Sequence, residues 1–301
     1  MERILITGSS GMLGRYLNEQ FDNGFDVFSL GRNPGNSFRC DLSAQTPEFG
    51  DNHFDTIIHA AGTEDPLLAM ALNYEGTRRL TDALHNNPPC NFVYISSYRV
   101  YSRDAGENVG EESNLWASDE TGRSKALAEK HLSDWAGKSG VNLTIIRPAR
   151  MFGNGVSGET LSLFNDAVKG YYVHIRDNDA RISIVTAFDV ARGIRILYHR
   201  GGVFNAADGT NPRLIELVEA MTANAGAKKR MTHLPVSWAE WCWRLAFWIP
   251  SVRRNLSPQV VEARMKTLTL DGSNFERAAG ISYFDTLSVI ERTNKDYPYS
   301  S

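Results

Sequence analysis

A chain of 301 residues with 42% hydrophobic and 22% charged content holds enough material for a sizeable core and one or two domains. Its formal net charge of −3, from 32 basic and 35 acidic residues, argues against a nucleic-acid partner, because gripping duplex phosphates takes a clustered surplus of Lys and Arg. Three scattered cysteines, Cys40, Cys90 and Cys242, suit a reducing compartment and provide neither a disulfide framework nor the spacing of a metal site, so no metal is expected.

The first apolar run, 3–7, leads straight into a glycine turn, which is not the layout of a signal peptide. No stretch reaches the roughly 20 apolar residues of a membrane span. A cytoplasmic protein with no integral membrane segment is expected. Runs at 3–7, 26–30, 55–60, 91–96 and 142–147 are continuously apolar, as strands buried on both faces are. Between them, 12–20, 69–85 and 121–138 carry apolar residues at spacings of three and four and predict crossover helices. The alternation predicts an α/β fold, a doubly wound parallel sheet with helices on both sides.

Beyond Arg147 the pattern is less regular. Residues 147–155 form a loop punctuated by Pro and Gly, 181–198 reads as a strand running into a helix, and 201–209 as a short strand and turn. A dinucleotide-binding domain over 1–150, with return segments near 181–207, is expected beside a smaller interleaved substrate region over 151–180 and 208–301.

The segment "TGSSGMLG" sets Gly8, Gly11 and Gly14 between a strand and a helix. The first glycine permits a tight turn, the second lets backbone approach a pyrophosphate, and the third allows close helix–strand packing at a positive helix end. With Ser10, Met12 and Leu13 these are the candidate cofactor contacts of the turn. The second strand ends "SLGRN", where Arg32 rather than an acidic side chain favours the 2′-phosphate of NADP over NAD; an exposed loop arginine is the alternative.

Further motifs follow in order: "CDL" at 40–42, "HAAG" at 59–62, "NYEGTRRL" at 73–80, "YISSYRVYS" at 94–102, "GRSKALAEK" at 122–130, "RPARMFG" at 147–153, "FDVARGI" at 188–194 and "VFNAADG" at 203–209. With the glycine turn they make the chain resemble, over nearly its whole length, the extended short-chain dehydrogenase/reductases of the NAD-dependent epimerase/dehydratase family. The resemblance implies a Rossmann fold and a nicotinamide cofactor. It also implies that Asp41 and Leu42 contact the adenine, that Ala60, Ala61 and Gly62 pass beside the cofactor, and that Pro148 and Ala149 lie against the nicotinamide. His59 and Asn73 are expected to be structural.

By the same resemblance Ser97 orients a substrate oxygen and Lys125 binds the ribose and tunes a tyrosine one helical turn away. That tyrosine is missing, and Thr121 stands in its place. Threonine has no accessible phenolate and is shorter by a ring. Tyr98 and Arg99 occupy positions where the sugar-nucleotide dehydratases carry an acidic pair, which argues against dehydration. Tyr98 is either a relocated phenol or simple packing, and Tyr101 is expected to be structural. Arg99 and Arg150 form either a cationic rim for a phosphate or carboxylate of the substrate or an internal salt-bridge pair.

Residues 237–254 hold four of the six tryptophans. Trp238, Trp241, Cys242, Leu245 and Ile249 fall along one helical face, while Trp243 and Trp248 need separate burial. A core or pocket-roof helix is expected, with a dimer interface or a shallow membrane contact as the sharper options; Glu240 and Arg244 would be costly in a hydrocarbon core, which favours substrate region or interface over membrane. The resulting expectation is an NAD(P)-dependent oxidoreductase or epimerase acting on a secondary alcohol or ketone of a nucleotide sugar. The alternatives are a sterol-like or other apolar alcohol as substrate, and an NADP(H)-binding regulatory or structural protein with impaired catalysis. A homodimer remains open.

Overall fold

The computed structural model describes residues 1–225 and 231–292. In chain order, β1 (Glu2–Thr7), α1 (Met12–Phe21), β2 (Phe25–Gly31), β3 (Phe38–Arg39) and β4 (Thr56–His59) open the fold. Then α2 (Pro66–Ala69) passes through a π turn, Met70–Tyr74, into α3 (Glu75–Ala83). After β5 (Asn91–Ile95) and β6 (Gly106–Val109), α4 (Glu120–Ser139) leads to β7 (Asn142–Pro148) and β8 (Arg150–Phe152). The second half holds α5 (Gly158–Lys169), β9 (Val173–Ile175), β10 (Ile184–Thr186), α6 (Ala187–Leu197), β11 (Gly202–Ala206) and α7 (Leu214–Asn224). It ends with β12 (Thr232–Leu234), α8 (Val236–Leu245), α9 (Pro250–Asn255), α10 (Pro258–Arg264), β13 (Leu268–Leu270), α11 (Ser273–Ala279) and α12 (Thr286–Arg292).

Seven strands form one sheet in the order β11-β7-β5-β4-β1-β2-β3, with every pairing parallel. Alternation along a strand sends successive side chains to opposite faces. In β1, Ile4 and Ile6 join Leu13, Leu17, Val190 and Ile194 of α1 and α6, while Leu5 joins Leu80 of α3 and Ala128 and Leu132 of α4. Burying each such side chain stabilises the fold by roughly 1.5–3 kcal/mol. The strand order reverses between β1 and β4, and that reversal opens a crevice at the carboxyl ends of the strands.

Three expectations need correction. The helix expected over 69–85 is interrupted by the π turn, which turns Asn73 inward; its Oδ1 accepts from the Thr63 N–H at 2.8 Å and its Nδ2 donates to Ser124 Oγ at 3.0 Å. A regular helix would not bring that amide to both partners. The strand part of 181–198 does not enter the main sheet, because β10 pairs with β8; the chain returns to the sheet only through β11.

The third correction concerns the tryptophans. The stripe of α8 that packs is Ala239, Cys242 and Trp243, against Leu256 and Val261. Of the face expected inside only Cys242 packs: Trp238 is 61% exposed, Trp241 67%, Leu245 56% and Ile249 49%, and Trp248, expected to need burial of its own, is 82% exposed. No helix among the described residues is long and apolar enough to cross a membrane.

Candidate cofactor and substrate site

Strand β1 runs into a turn at Gly8, whose φ of +70° lies in the left-handed region. A Cβ at Gly8 would stand 2.7 Å from the Ala61 nitrogen, and one at Gly14 would stand 2.2 Å from the Gly8 carbonyl oxygen. Side chains at either place would push the turn off β4 or off α1. The N-terminus of α1 carries no side-chain cap, so its first N–H groups and the positive end of its dipole remain available at the crevice. Ser10 is exposed, Met12 is half-buried, and Leu13 is packed in the core. This cradle fits a pyrophosphate, since backbone donors reach it and no Cβ fills it.

The rims of β2 and β3 continue the site. Arg32 is exposed, and its backbone carbonyl accepts from Arg39 Nε at 3.3 Å, which brings the Arg39 guanidinium to the Arg32 backbone. Arg39 has no counterpart in the sequence reading, because a two-residue strand is too short to register as a pattern. Asp41 accepts from the Ser43 N–H and hydroxyl, and those bonds hold its carboxyl below its usual pKa. Leu42 is buried behind it.

On the other side of β1, the amides of Ala60 and Ala61 donate to the carbonyl and hydroxyl oxygens of Thr7. His59 is fully buried between the hydroxyls of Thr7 and Thr77, and burial drives its pKa down to about 3. It is a neutral brace of the strand ends. Gly62 faces Lys125, whose Nζ would lie 2.9 Å from a Cβ at that position.

Lys125 Nζ donates to the Ile95 carbonyl at 2.7 Å and lies 4.9 Å from the centre of the Tyr94 ring. Burial lowers its pKa to about 8. Ser97 sits two residues past that carbonyl and caps the short turn Tyr98–Val100, its Oγ accepting from the Arg99 N–H at 3.2 Å. Helix α4 meets this turn backbone to backbone, since a Cβ on Gly122 would fall 2.0 Å from the Arg99 carbonyl oxygen. Pro148 and Ala149 close the far side at the end of β7, with the Ala149 N–H bonded to the Ala206 carbonyl.

Thr121 is buried, and its hydroxyl donates to the Glu64 carbonyl at 3.2 Å. The same Glu64 accepts the Glu159 N–H on its carboxylate, which ties the loop after β4 to both α4 and α5. Tyr98 is paired elsewhere: its hydroxyl accepts from Arg150 Nη2 at 3.3 Å, and burial pushes its pKa up. Neither Thr121 nor Tyr98 therefore turns a hydroxyl to Lys125, whose neighbouring phenol is the Tyr94 ring. Tyr101 bonds Asn205 and Arg147, and Arg147 forms a buried ion pair with Glu129 that anchors the sheet end.

Beyond Tyr98 opens a cavity of about 370 Å³. Arg99 and Arg150 both line it, and both are ion-paired: Arg99 with Asp119 at 2.9 Å and Glu159 at 3.5 Å, Arg150 with Glu159 at 3.5 Å. Arg150 chiefly pulls the Glu159 pKa down to about 2. The internal ion pairs are thus present, with both guanidiniums also lining the cavity. The wall also carries Arg103, Arg254, Arg264 and Lys266, six cationic side chains against the carboxylates of Asp119, Glu159 and Asp166. Arg254 reaches Asp166 at 2.6 Å, but Arg264 Nη1 is buried with no hydrogen-bond partner, and its guanidinium lies 5.1 Å from the centre of the Tyr172 ring. The sequence reading singled out Arg254 only beside Arg253 as an aid to a shallow membrane contact and did not mark Arg264 or Lys266; the three come from α9, α10 and the loop before β13. Among the described residues no group of three or more His, Cys, Asp or Glu is placed to hold a metal ion.

Comparison with known proteins agrees with this architecture. The chain is 23% identical over 256 residues to the N-acetyl-alpha-D-glucosaminyl-diphospho-ditrans,octacis-undecaprenol 4-epimerase of Escherichia coli O157:H7, covering 78% of this chain and 76% of that one. It is 27% identical over 271 residues to the UDP-glucose 4-epimerase of Vibrio cholerae, covering 80% of each. The solved UDP-N-acetylglucosamine 4-epimerase of Bacillus cereus superposes with a TM-score of 0.73 at 19% identity, over 99% of this chain and 98% of that one, which establishes the shared fold. Residues 4–207 match the NAD dependent epimerase/dehydratase family, and the chain belongs to that family.

Proposed function

We propose that the protein binds NADP(H) in preference to NAD(H), and acts as an oxidoreductase or epimerase on a secondary alcohol or ketone of a nucleotide sugar. The observation that carries the substrate class is the cavity wall, where six cationic side chains meet three carboxylates, Lys266 being paired in addition with Asp104 and Glu262, and where the guanidiniums of Arg150 and Arg264 each keep a buried nitrogen with no acceptor. A diphosphate supplies that acceptor and balances the charge. The names of the relatives point the same way, toward sugars carried on a diphosphate.

In this reading residues 1–150 with β11 hold the dinucleotide, and 151–180 with 208–301 form the substrate region. The pyrophosphate rests on the Gly8–Gly14 turn, Asp41 faces the adenine, and Arg32 with Arg39 takes the 2′-phosphate. Lys125 holds the nicotinamide ribose, and Pro148 and Ala149 back the ring. When bound, the nicotinamide supplies hydride donation and acceptance. Ser97 orients the substrate oxygen, and Arg99 and Arg150 steer its charged portion. Proton exchange with that oxygen has to proceed without a phenol tuned by Lys125, so slow turnover follows.

Thr121 supports a second reading, a dinucleotide-binding protein whose chemistry is lost, because its hydroxyl is already bonded to Glu64 and out of reach of solvent. Single-turnover hydride transfer with UDP-N-acetylglucosamine separates the two. The enzyme reading expects a measurable change in nicotinamide absorbance in the wild type, little altered by Tyr98→Phe and raised by Thr121→Tyr if the new ring can displace the Glu64 loop. Absence of any transfer in wild type and Thr121→Tyr alike, with both ligands bound, leaves only the binding protein. A loss of roughly 10²-fold or more in Tyr98→Phe would instead make Tyr98 the relocated acid.

A further inference from the structure

We propose that Glu64 takes over the role of the missing phenol: its carboxylate exchanges the proton with the substrate oxygen in the crevice beside Lys125. The residue stands on the loop between β4 and α2, which comes up against both landmarks of the absent tyrosine. At Gly62 the backbone runs beside the ammonium of Lys125, and at Glu64 the carbonyl accepts the Thr121 hydroxyl at 3.2 Å. Glu64 is exposed, and its side chain reaches α5, where Oε2 accepts the Glu159 N–H at 3.0 Å. Gly158 gives it room there, since a Cβ at that position would collide with the same oxygen. Oε1 has no hydrogen-bond partner among the described residues, and the charge of the carboxylate is felt at Lys125, Tyr98 and Arg150.

The other acids near Lys125 or on the cavity wall are committed elsewhere. Glu129 is buried in its ion pair with Arg147, and Asp166 is bonded to Arg254 and Asn255. Asp119 caps α4 and takes Arg99 and Arg103. Glu159 is paired with Arg99 and Arg150, and Arg150 chiefly holds it ionised, with a pKa of about 2. Tyr94 is fully buried, and the Tyr98 hydroxyl is bonded to Arg150. Among these groups Glu64 alone joins an open oxygen to access from solvent. The groups around its carboxylate are Lys125 on α4, Tyr98 on the turn after β5, Arg150 on β8 and Glu159 on α5. A carboxylate accepts a proton and, once protonated, donates it, so one group serves both directions. In the oxidation of a secondary alcohol, hydride leaves the carbinol carbon for an oxidised nicotinamide, the carbon–oxygen double bond forms, and the hydroxyl proton passes to Glu64. Reduction runs the same transfers in reverse.

The inference rests on the enzyme reading above, and Glu64→Gln tells the two apart. The amide keeps an oxygen for the Glu159 N–H but takes up no proton. Single-turnover hydride transfer from UDP-N-acetylglucosamine to the oxidised cofactor is expected to slow by about 10²-fold or more, with the affinities for NADPH and the sugar nucleotide unchanged. In the wild type this rate should fall toward acid pH along a single ionisation. The fall should be absent in Glu64→Gln and kept in Glu64→Asp. As a readout apart from turnover, protein with isotope-labelled glutamate carboxyls should show a carbon resonance, missing in Glu64→Gln, that moves when UDP-N-acetylglucosamine binds. Equal rates in wild type and Glu64→Gln, or a pH profile that the amide leaves intact, would overturn the role of Glu64 and leave the enzyme reading standing. Weaker binding of either ligand with unaltered turnover of bound substrate would reduce Glu64 to a tie between its loop and α5. A wild type that binds both ligands and transfers no hydride overturns the enzyme reading and this inference together.

Discussion

The cradle beside β1 and the cavity beyond β5 both gather positive electrostatic groups, but the first is made of backbone and the second of side chains. At the cradle, Gly8 and Gly14 clear space so that the N–H groups opening α1 can approach a phosphate, and no charged side chain is needed. At the cavity, guanidinium groups from loops and helices far apart in the chain converge around three carboxylates. A buried cation in each region, Lys125 in the first and Arg264 in the second, behaves differently. Lys125 has a carbonyl and a ring for company and can shed its proton, as its lowered pKa records. Arg264 is also disfavoured by burial, yet a guanidinium keeps its charge at any physiological pH. A backbone site tolerates waiting empty, and a side-chain site of this kind carries a standing electrostatic cost until its ligand arrives.

The sharpest way to break this contrast is at Gly8. Gly8→Val meets both the positive φ and the 2.7 Å approach to Ala61, so it should lower NADPH affinity by about 100-fold or more and destabilise the fold by roughly 1–3 kcal/mol, measured by fluorescence titration and thermal unfolding. A cradle that binds normally after this change would not be made of backbone. Next in size is the titration of Lys125. Its folded pKa of about 8 lies below the unfolded 10.5, so between those values the unfolded chain holds the extra proton and stability rises with pH. The rise attributable to this group has an upper limit of about 3 kcal/mol. It should vanish in Lys125→Met when the two unfolding profiles are subtracted.

For the cavity, Arg264→Met should act in opposite directions on stability and binding. The empty protein should melt higher by roughly 2–4 °C, while affinity for UDP-N-acetylglucosamine falls by about 10- to 100-fold, as loss of a charged hydrogen bond implies. Calorimetry on both states decides it, and a parallel loss of stability and affinity would mean that Arg264 is an ordinary structural residue. The smallest effect belongs to the exposed Arg32. Arg32→Ala should reduce the preference for NADPH over NADH by about tenfold, and unchanged ratios would remove Arg32 from cofactor selection.

The same contrast explains what the sequence could disclose. The sheet was legible because strands buried on both faces read as unbroken apolar runs, and the cradle because a backbone site needs glycine at fixed spacing along one short segment. The placing of Thr121 one helical turn from Lys125 was equally plain, since both lie on one helix. The cavity was not legible: Arg150, Arg254 and Arg264 become neighbours only through tertiary packing, and each alone is indistinguishable from a surface arginine. The tryptophan face was misjudged because helical periodicity identifies which residues share a side but not whether that side faces protein or solvent. The π turn escaped for a related reason, since one inserted residue shifts the helical phase without altering composition.

Gly122 has a consequence for how this protein can diverge or be redesigned. Its backbone rests on the carbonyl of Arg99, with no room for a methyl group between them. That contact joins the helix bearing Lys125 to the turn bearing Ser97, Tyr98 and Arg99. There is no compressible layer of side chains at the joint to absorb a change on either side. Substitutions that reshape the cavity for a new substrate must therefore keep the turn in place or carry α4 with it, and with α4 the lysine. Under the proposed function, cofactor grip and substrate choice are hinged on one glycine, and the evolutionary freedom of the cavity lies on its far wall, among α5, α9 and α10.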